Sequence, residues 1–520
     1  MPMQQLVVAP VLLPLVTAAL LLLLGEQRRV SALVLNLVST VAGLLLAVAL
    51  LLWVDRQDAA AAFGVYLPGN WPVPMGIVLV VDRLSALMMV LAGGAGLAAL
   101  LFSLARWHRA GVHFHPLFQL QLMGLYGAFL TADLFNLFVF FEVLLAASYG
   151  LLLHGGGGDR VRAGLHYVAV NLVASLLFLI GVALIYGVTG TLNLAHLAQR
   201  IPLVAAEDRV LVEAGAAVLA IAFLVKSGMW PLGFWLPSTY AAASPPAAAL
   251  FSILTKVGFY AVLRLWLLLF GGGVGAELLY LGGMATLAFG AIGMLASQDL
   301  GRLAGYSLLV SSGTLLAAVS RGDGAVTAAA LFYLVASTLG IAAFFLLIEL
   351  VQRAREPGAD VLAVTAEAFG LADGDTEPEE RPGTVIPAAM ALLGLSFLCC
   401  ALVVASLPPL PVFVAKFALL AAVLGPQPVS APAWALIALL TLTGMAAVIA
   451  MGRAGVRIFW ATEERSTPRV RVLEIVPVAG LLALCFALTL GAGTVMRYFQ
   501  DAALALHTPQ TYIESVLSRP

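Results

Sequence analysis

The sequence predicts an all-α polytopic membrane protein with about 14 transmembrane helices and two inverted five-helix repeats that contain broken helices. Three observations predict it. Of the 520 residues, 62% are hydrophobic and only 10% charged, whereas a soluble chain keeps roughly a quarter of its residues charged. Apolar runs of about 20 residues, enough to cross a bilayer as a helix, follow one another along almost the whole chain. Two similar stretches, an odd number of spans apart, each carry a lysine beside a proline-rich break.

Composition also narrows function. Mean hydropathy is +1.05 and formal net charge is −1, so no field of one sign points to a nucleic-acid partner. Cys399, Cys400 and Cys485 lack the spacing of a metal site and read as small apolar residues inside helices. No G-x-x-x-x-G-K-[ST] loop, G-x-G-x-x-G turn or H-E-x-x-H helix is present, so nucleotide-driven and zinc-dependent chemistry lack a carrier. We expect no cofactor, no metal and no enzymatic step on this chain.

The spans centre near residues 15, 42, 90, 122, 143, 175, 218, 257, 286, 309, 338, 396 to 416, 442 and 484. The first, from about Leu6 to Leu24, has no basic residue before it and exceeds a signal-peptide core, so it reads as a retained span. Two stretches, Lys226 to Ser244 and Leu407 to Lys416, are short and interrupted by proline. With an external N-terminus the odd-numbered connections face the cytoplasm. Those connections hold 15 arginines, including Arg106, Arg160, Arg302, Arg355, Arg381, Arg465 and Arg469. Seven lie on the other side: Arg56, Arg83, Arg200, Arg209, Arg321, Arg497 and Arg519. This bias predicts a multi-pass membrane protein with both termini outside. The polar stretch 352–383, with its acidic run Asp373 to Glu380, reads as a solvated cytoplasmic loop.

Only three of the 26 lysine and arginine residues are lysines, namely Lys226, Lys256 and Lys416, and all three fall inside apolar runs. Every basic residue assigned to a loop is arginine. Arginine stays protonated, whereas a buried lysine can exchange its proton. A lysine at mid-membrane costs at least ~2.5–3.5 kcal/mol on insertion scales, so three of them require a polar interior. Glu142, within Phe140-Phe141-Glu142 near the middle of the fifth span, is the acid available to partner one of them. Asp82, Asp133, Glu213, Glu277 and Glu349 stand at span ends and read as interfacial. His166, one turn into the sixth span, is a candidate proton relay. His108, His113 and His115 lie in a short basic loop and read as solvated rather than as metal ligands.

The repeat rests on plan more than on identities. Thr131-Ala-Asp133-Leu134 opens the fifth span and Ser297-Gln298-Asp299-Leu300 opens the tenth. Later in each half comes the break: Lys226 followed by Pro231, Pro237, Pro245 and Pro246, then Pro408, Pro409 and Pro411 followed by Lys416. Five spans separate the copies, which forces opposite orientations. Proline frees backbone carbonyls, and these are tolerated at depth only beside protein or water, so hydrated pockets are expected near Lys226 and Lys416. Only the first copy keeps its acid, because Leu308 falls where Glu142 stands. The chain divides into residues 1–110 (three spans), 111–271 (spans four to eight), 272–455 (spans nine to thirteen) and 456–520 (a cytoplasmic loop, the last span and a tail).

These residues resemble the antiporter-like subunits shared by respiratory complex I, membrane-bound hydrogenases and Mrp-type Na+/H+ antiporters. The resemblance is carried by Phe141-Glu142, by Val225-Lys226-Ser227-Gly228-Met229-Trp230-Pro231 and by Leu254-Thr255-Lys256-Val257-Gly258. Gln298 to Ser307 and Lys416 add to it. Asn171 to Asn193 makes the D-type subunit of the Mrp antiporters the best fit. The resemblance implies an ion pair between Glu142 and Lys226, with Lys256 as central relay and Lys416 as terminal site. It also implies a complex with other subunits in a prokaryotic inner membrane that exchanges protons for sodium or another monovalent cation, with lipid around it. Relatives often carry histidine where Gly233 stands and within the segment here reading Ser307 to Ser312. Ser227, Thr255, Ser311 and Ser312, with water, are therefore the candidate substitutes. Two rival readings remain open: a proton-pumping subunit of a quinone oxidoreductase or hydrogenase, and a non-transporting membrane scaffold.

Overall fold

Thirteen helices among the described residues are long and apolar enough to cross a membrane. The computed structural model describes residues 3–25, 28–57, 62–353, 388–425, 429–459 and 470–518. The acidic run and nearly all of the polar stretch 352–383 lie outside the described residues, as do Arg355, Arg381, Arg465, Arg469 and Arg519.

Helices α1 (Ala9–Leu24), α2 (Arg29–Asp55) and α3 (Arg83–Ser103) form the N-terminal group. Between α2 and α3 a small antiparallel pair, β1 (Gly64–Tyr66) and β2 (Leu79–Val81), caps one end. Next come α4 (Phe114–Leu130), α5 (Leu134–Leu153) and α6 (Gly158–Thr189). At 17 residues, α4 is a short span and carries two buried glutamines. Such a composition is tolerated because α1, α2, α3 and α5 pack around it: Gln119 Nε2 donates to Asn36 Oδ1 at 2.6 Å instead of facing lipid.

A short α7 (Leu194–Arg200) leads to α8 (Ala206–Ser227), the irregular turn 228–235, α9 (Leu236–Ala242), α10 (Pro245–Phe251) and α11 (Leu254–Phe270). The second half holds α12 (Ala276–Ala296), α13 (Leu300–Val319) and α14 (Gly324–Arg353). It continues with α15 (Ala388–Ala405), α16 (Pro411–Leu424) and α17 (Ala431–Phe459). A last span, α18 (Val472–Leu490), is followed by amphipathic α19 (Ala492–His507) and α20 (Gln510–Leu517). Buried almost throughout, α14 is the pillar against which α10, α13, α15, α16, α18 and α19 pack. The tail is therefore structured: Phe499 packs on Phe332 at 5.5 Å and Tyr512 on Phe63 at 5.9 Å.

The prolines stand at helix starts more than inside helices. Pro245 and Pro246 open α10, and Pro411 opens α16, the positions where a missing N–H costs least. Both expected breaks are present, at 228–235 and 406–410. A third, at 252–253, separates α10 from α11 without a proline of its own.

Polar bonds sort the connections by end. Arg106 and Trp107, after α3, bind Glu349 of α14, and Arg353 binds Glu474 at 2.7 Å. Arg453 donates to Ser297 O at 3.1 Å. At the opposite end Asp133 bridges Asn193, and Thr327 bonds His507 at 3.0 Å. Asp133 caps α5 through the Asn136 N–H at 2.9 Å, and Asp299 caps α13 through the Arg302 N–H at 2.8 Å. The two caps thus occupy opposite ends.

Candidate functional site

Lys226 and Lys256 sit at helix breaks and Lys416 within the short helix that follows one; all three are buried, with exposures of 6% for Lys226, 0% for Lys256 and 7% for Lys416. Lys226 lies in the last turn of α8, where Gly228 ends the helix at φ +76°. Helix C-terminal carbonyls make a favourable place for an ammonium. Its Nζ has no hydrogen-bond partner among the described residues and stands 5.0 Å from the centroid of the Phe141 ring, a cation–π contact. Glu142, next to Phe141 on α5, accepts a hydrogen bond from Ser175 Oγ of α6. Among the described residues Glu142 and Lys226 make no direct ion pair, though the Glu142 charge acts on Lys226. The pairing implied by the resemblance is here an interaction without direct contact, beside the mutually packed rings of Phe141, Phe178 and Phe223.

Gly258 brings the first two lysines close. A Cβ there would lie 2.6 Å from Ser227 N and 2.9 Å from Phe223 O, so α11 touches the α8 backbone between Lys226 and Lys256. Gly258→Ala is expected to push these helices apart, with a stability loss of roughly 1–3 kcal/mol as for other overpacked sites. Thermal unfolding in detergent measures this loss. Gly233, likewise, has its Cβ position blocked by the Gly228 backbone. A side chain at 233 is therefore incompatible with the tight turn after Lys226.

Lys256 opens a hydrogen-bonded string. Its Nζ donates to Ser311 Oγ at 2.8 Å, and Ser311 Oγ shares a 2.9 Å bond with Ser337 Oγ on α14. Thr255 Oγ1 and Ser312 Oγ are buried without partners among the described residues, and such groups usually find water. Ser227 donates to Leu224 O within its own helix at 3.1 Å. Beyond Ser337 a cavity of about 20 Å³ is lined by Ser307, Tyr333, Val403 and Val412, room for one water. Val412 is one turn from Lys416 on α16, so the cavity lies between the serine pair and the second break.

Other residues sit differently from the sequence expectation. His166 is exposed on α6, bonded to Arg162 O at 2.9 Å, and is not brought to the lysines. His108 and His115 are buried at 8% exposure, not solvated, because α1, α2 and α4 close over the loop. Among the described residues no cluster of His, Cys, Asp and Glu could hold a metal. Asp82 is no interfacial acid. It accepts two bonds from Arg264, at 2.6 and 2.8 Å, and both are buried. Arg264 also donates to Tyr260 OH at 3.2 Å, and Tyr260 OH donates to Phe129 O at 2.7 Å. Burial pushes the Asp82 carboxyl up, but the Arg264 guanidinium and the Ser85 bonds bring it below the usual value. Lys256, Tyr260 and Arg264 recur every four residues and so share one face of α11. Ser175, Ser337, Tyr260 and Arg264 are polar neighbours of the candidate residues that sequence reasoning missed. Arg264 alone had left a signal, as the one arginine that no loop could take.

Comparison with known proteins bears on the family. Residues 131–446 match the family described as NADH:quinone oxidoreductase/Mrp antiporter, transmembrane. The chain is 56% identical to the D-type subunit of a probable K+/H+ antiporter of Rhizobium meliloti, over 100% of this chain and 98% of that one. It is 34% identical to the D-type subunit of the Na+/H+ antiporter of Alkalihalophilus pseudofirmus, over 99% and 100%. A chain in the structure of the Mrp complex from Dietzia sp. superposes with a TM-score of 0.84 at 27% identity, covering 99% of this chain and 100% of that one.

Proposed function

Because the chain belongs to the NADH:quinone oxidoreductase/Mrp antiporter transmembrane family, we propose that it is the D-type subunit of a multisubunit cation/proton antiporter. Protons enter by way of Glu142 and Lys226, pass to Lys256 and cross Ser311 and Ser337 to Lys416. A potassium or sodium ion leaves through the assembled complex. The observation that carries this reading is the buried string Lys256–Ser311–Ser337, which ends in a cavity at the second helix break.

The mechanism is electrostatic. Protonating one amine changes the field at its neighbour, and in a low-dielectric interior that change is felt over several ångströms. Hydroxyls both accept and donate, so Ser311 and Ser337 can hand a proton on without carrying charge at rest. Ser337→Ala is expected to slow antiport several-fold with assembly unchanged.

The arginine-rich end faces the cytoplasm under the positive-inside rule, which puts both chain ends outside an inner membrane. Residues 111–271 and 272–455 form inverted repeats. What supports this is the pair of aspartate caps at opposite ends and the two lysine-bearing breaks. Everted vesicles holding the full set of subunits test the reading. Addition of K+ or Na+ should dissipate a respiration-driven pH gradient, and vesicles in which neither cation does so would refute it.

A further inference from the structure

A cavity of about 90 Å³ opens at the arginine-rich end, between α1, α2 and the loop that precedes α4, remote from the lysine string. Its polar side chains are all basic: Arg29, His108, Arg109, His113 and His115. A single water needs about 10–15 Å³, so the space admits a group the size of a phosphate.

The donors are held in place. The Asn36 side-chain carbonyl oxygen accepts from Gln119 at 2.6 Å and Thr40 at 3.3 Å, which turns the Asn36 amide nitrogen toward His115 Nδ1 at 2.7 Å. His115 is therefore an Nδ1 acceptor, and the proton of its neutral ring sits on Nε2. His108 Nδ1 donates to Ser103 O at 3.1 Å, and its Nε2 accepts from Arg109 Nε at 3.1 Å. Burial, then the Arg109 and Arg29 charges, hold His108 below the ordinary imidazole value. It is thus a neutral bracket that leaves the two terminal nitrogens of Arg109 for a ligand. Two helix N-termini also face the cavity, α2 at Arg29 and α4 at His113, and neither carries a side-chain cap. Uncapped N-termini favour anions, against one α1 C-terminus on the same rim.

The rim is apolar and turned outward: Leu22 is 56% exposed and Val112 59%. We propose that this cavity is a binding site for the phosphate headgroup of an anionic phospholipid, with an acyl chain along Leu22 and the outer face of α1. A basic pocket between helices with an apolar approach is the chemistry such a headgroup requires. A free phosphate would make no use of the apolar rim.

The test uses the full-length chain in detergent micelles doped with phosphatidylglycerol or phosphatidylcholine, with bound lipid counted by native mass spectrometry. Wild type should retain one phosphatidylglycerol with a preference of about thirtyfold, as two arginines near a lipid surface supply. The Arg29→Gln/Arg109→Gln variant should lose that preference. Both side chains are exposed, so the fold is not at risk. Arg56→Gln/Arg209→Gln, at the other end, should keep it. Equal retention of the two lipids by wild type, or an unchanged preference in the Arg29/Arg109 variant, would overturn the proposal. Displacement by millimolar inorganic phosphate would reassign the site to the free ion and overturn the lipid as its source.

Discussion

Glu142→Ala and Lys226→Ala each abolish cation-driven proton movement in everted vesicles while the protein stays inserted and assembled. A positioned proton-transfer group contributes on the order of a hundredfold or more, so the residual rate should fall to background. The two variants fail for different reasons. Without Glu142, Ser175 loses its acceptor and Lys226 keeps no acid to balance it. Without Lys226, the Phe141 ring loses its cation. Lys226→Arg should also fail, because a guanidinium does not release its proton in this range. A scaffold subunit would tolerate all three replacements, so normal antiport in them sinks the transport reading.

Asp82→Ala is the second large effect, on stability rather than on proton transfer. It strands the buried Arg264 guanidinium, and removing one partner of a buried pair costs about 3–5 kcal/mol. Arg264→Met should cost a similar amount. The double variant Asp82→Asn/Arg264→Met should recover much of the loss, since no uncompensated charge remains. Thermal unfolding in detergent, with the yield of inserted protein, reads the difference. Asp82 is depressed below its unfolded value of about 3.9. Its contribution is therefore complete above that pH and is lost only as the pH falls through the lower folded value. The pair is a fixed clamp at neutral pH, joining α3 to α11 under the cover of Tyr512. Single variants as stable as wild type would contradict this.

The amines were legible in the sequence because lipid makes charge expensive. A lysine inside an apolar run has no cheap explanation, and proline beside it marks where the helix stops. The same logic reaches Arg264 only by subtraction, once every other arginine has a loop. Ser175 and Ser337 were not legible. Serine is common in transmembrane helices, and nothing local distinguishes the one that meets Glu142 or Ser311 from the rest. The break at 252–253 lacks a proline and reads as continuous helix. The α4 histidine–glutamine face looked like a polar loop and the start of an ordinary span. Only packing shows that Asn36, Ser39, Thr40 and Gln119 meet there.

The most direct test is a high-resolution map of the assembled complex. Ordered water should link Lys226 to Thr255 and Lys256 and should fill the space between Ser337 and Val412 on the way to Lys416. Side chains packed without water along that line, or amino groups turned toward the headgroups, would contradict proton passage through this subunit.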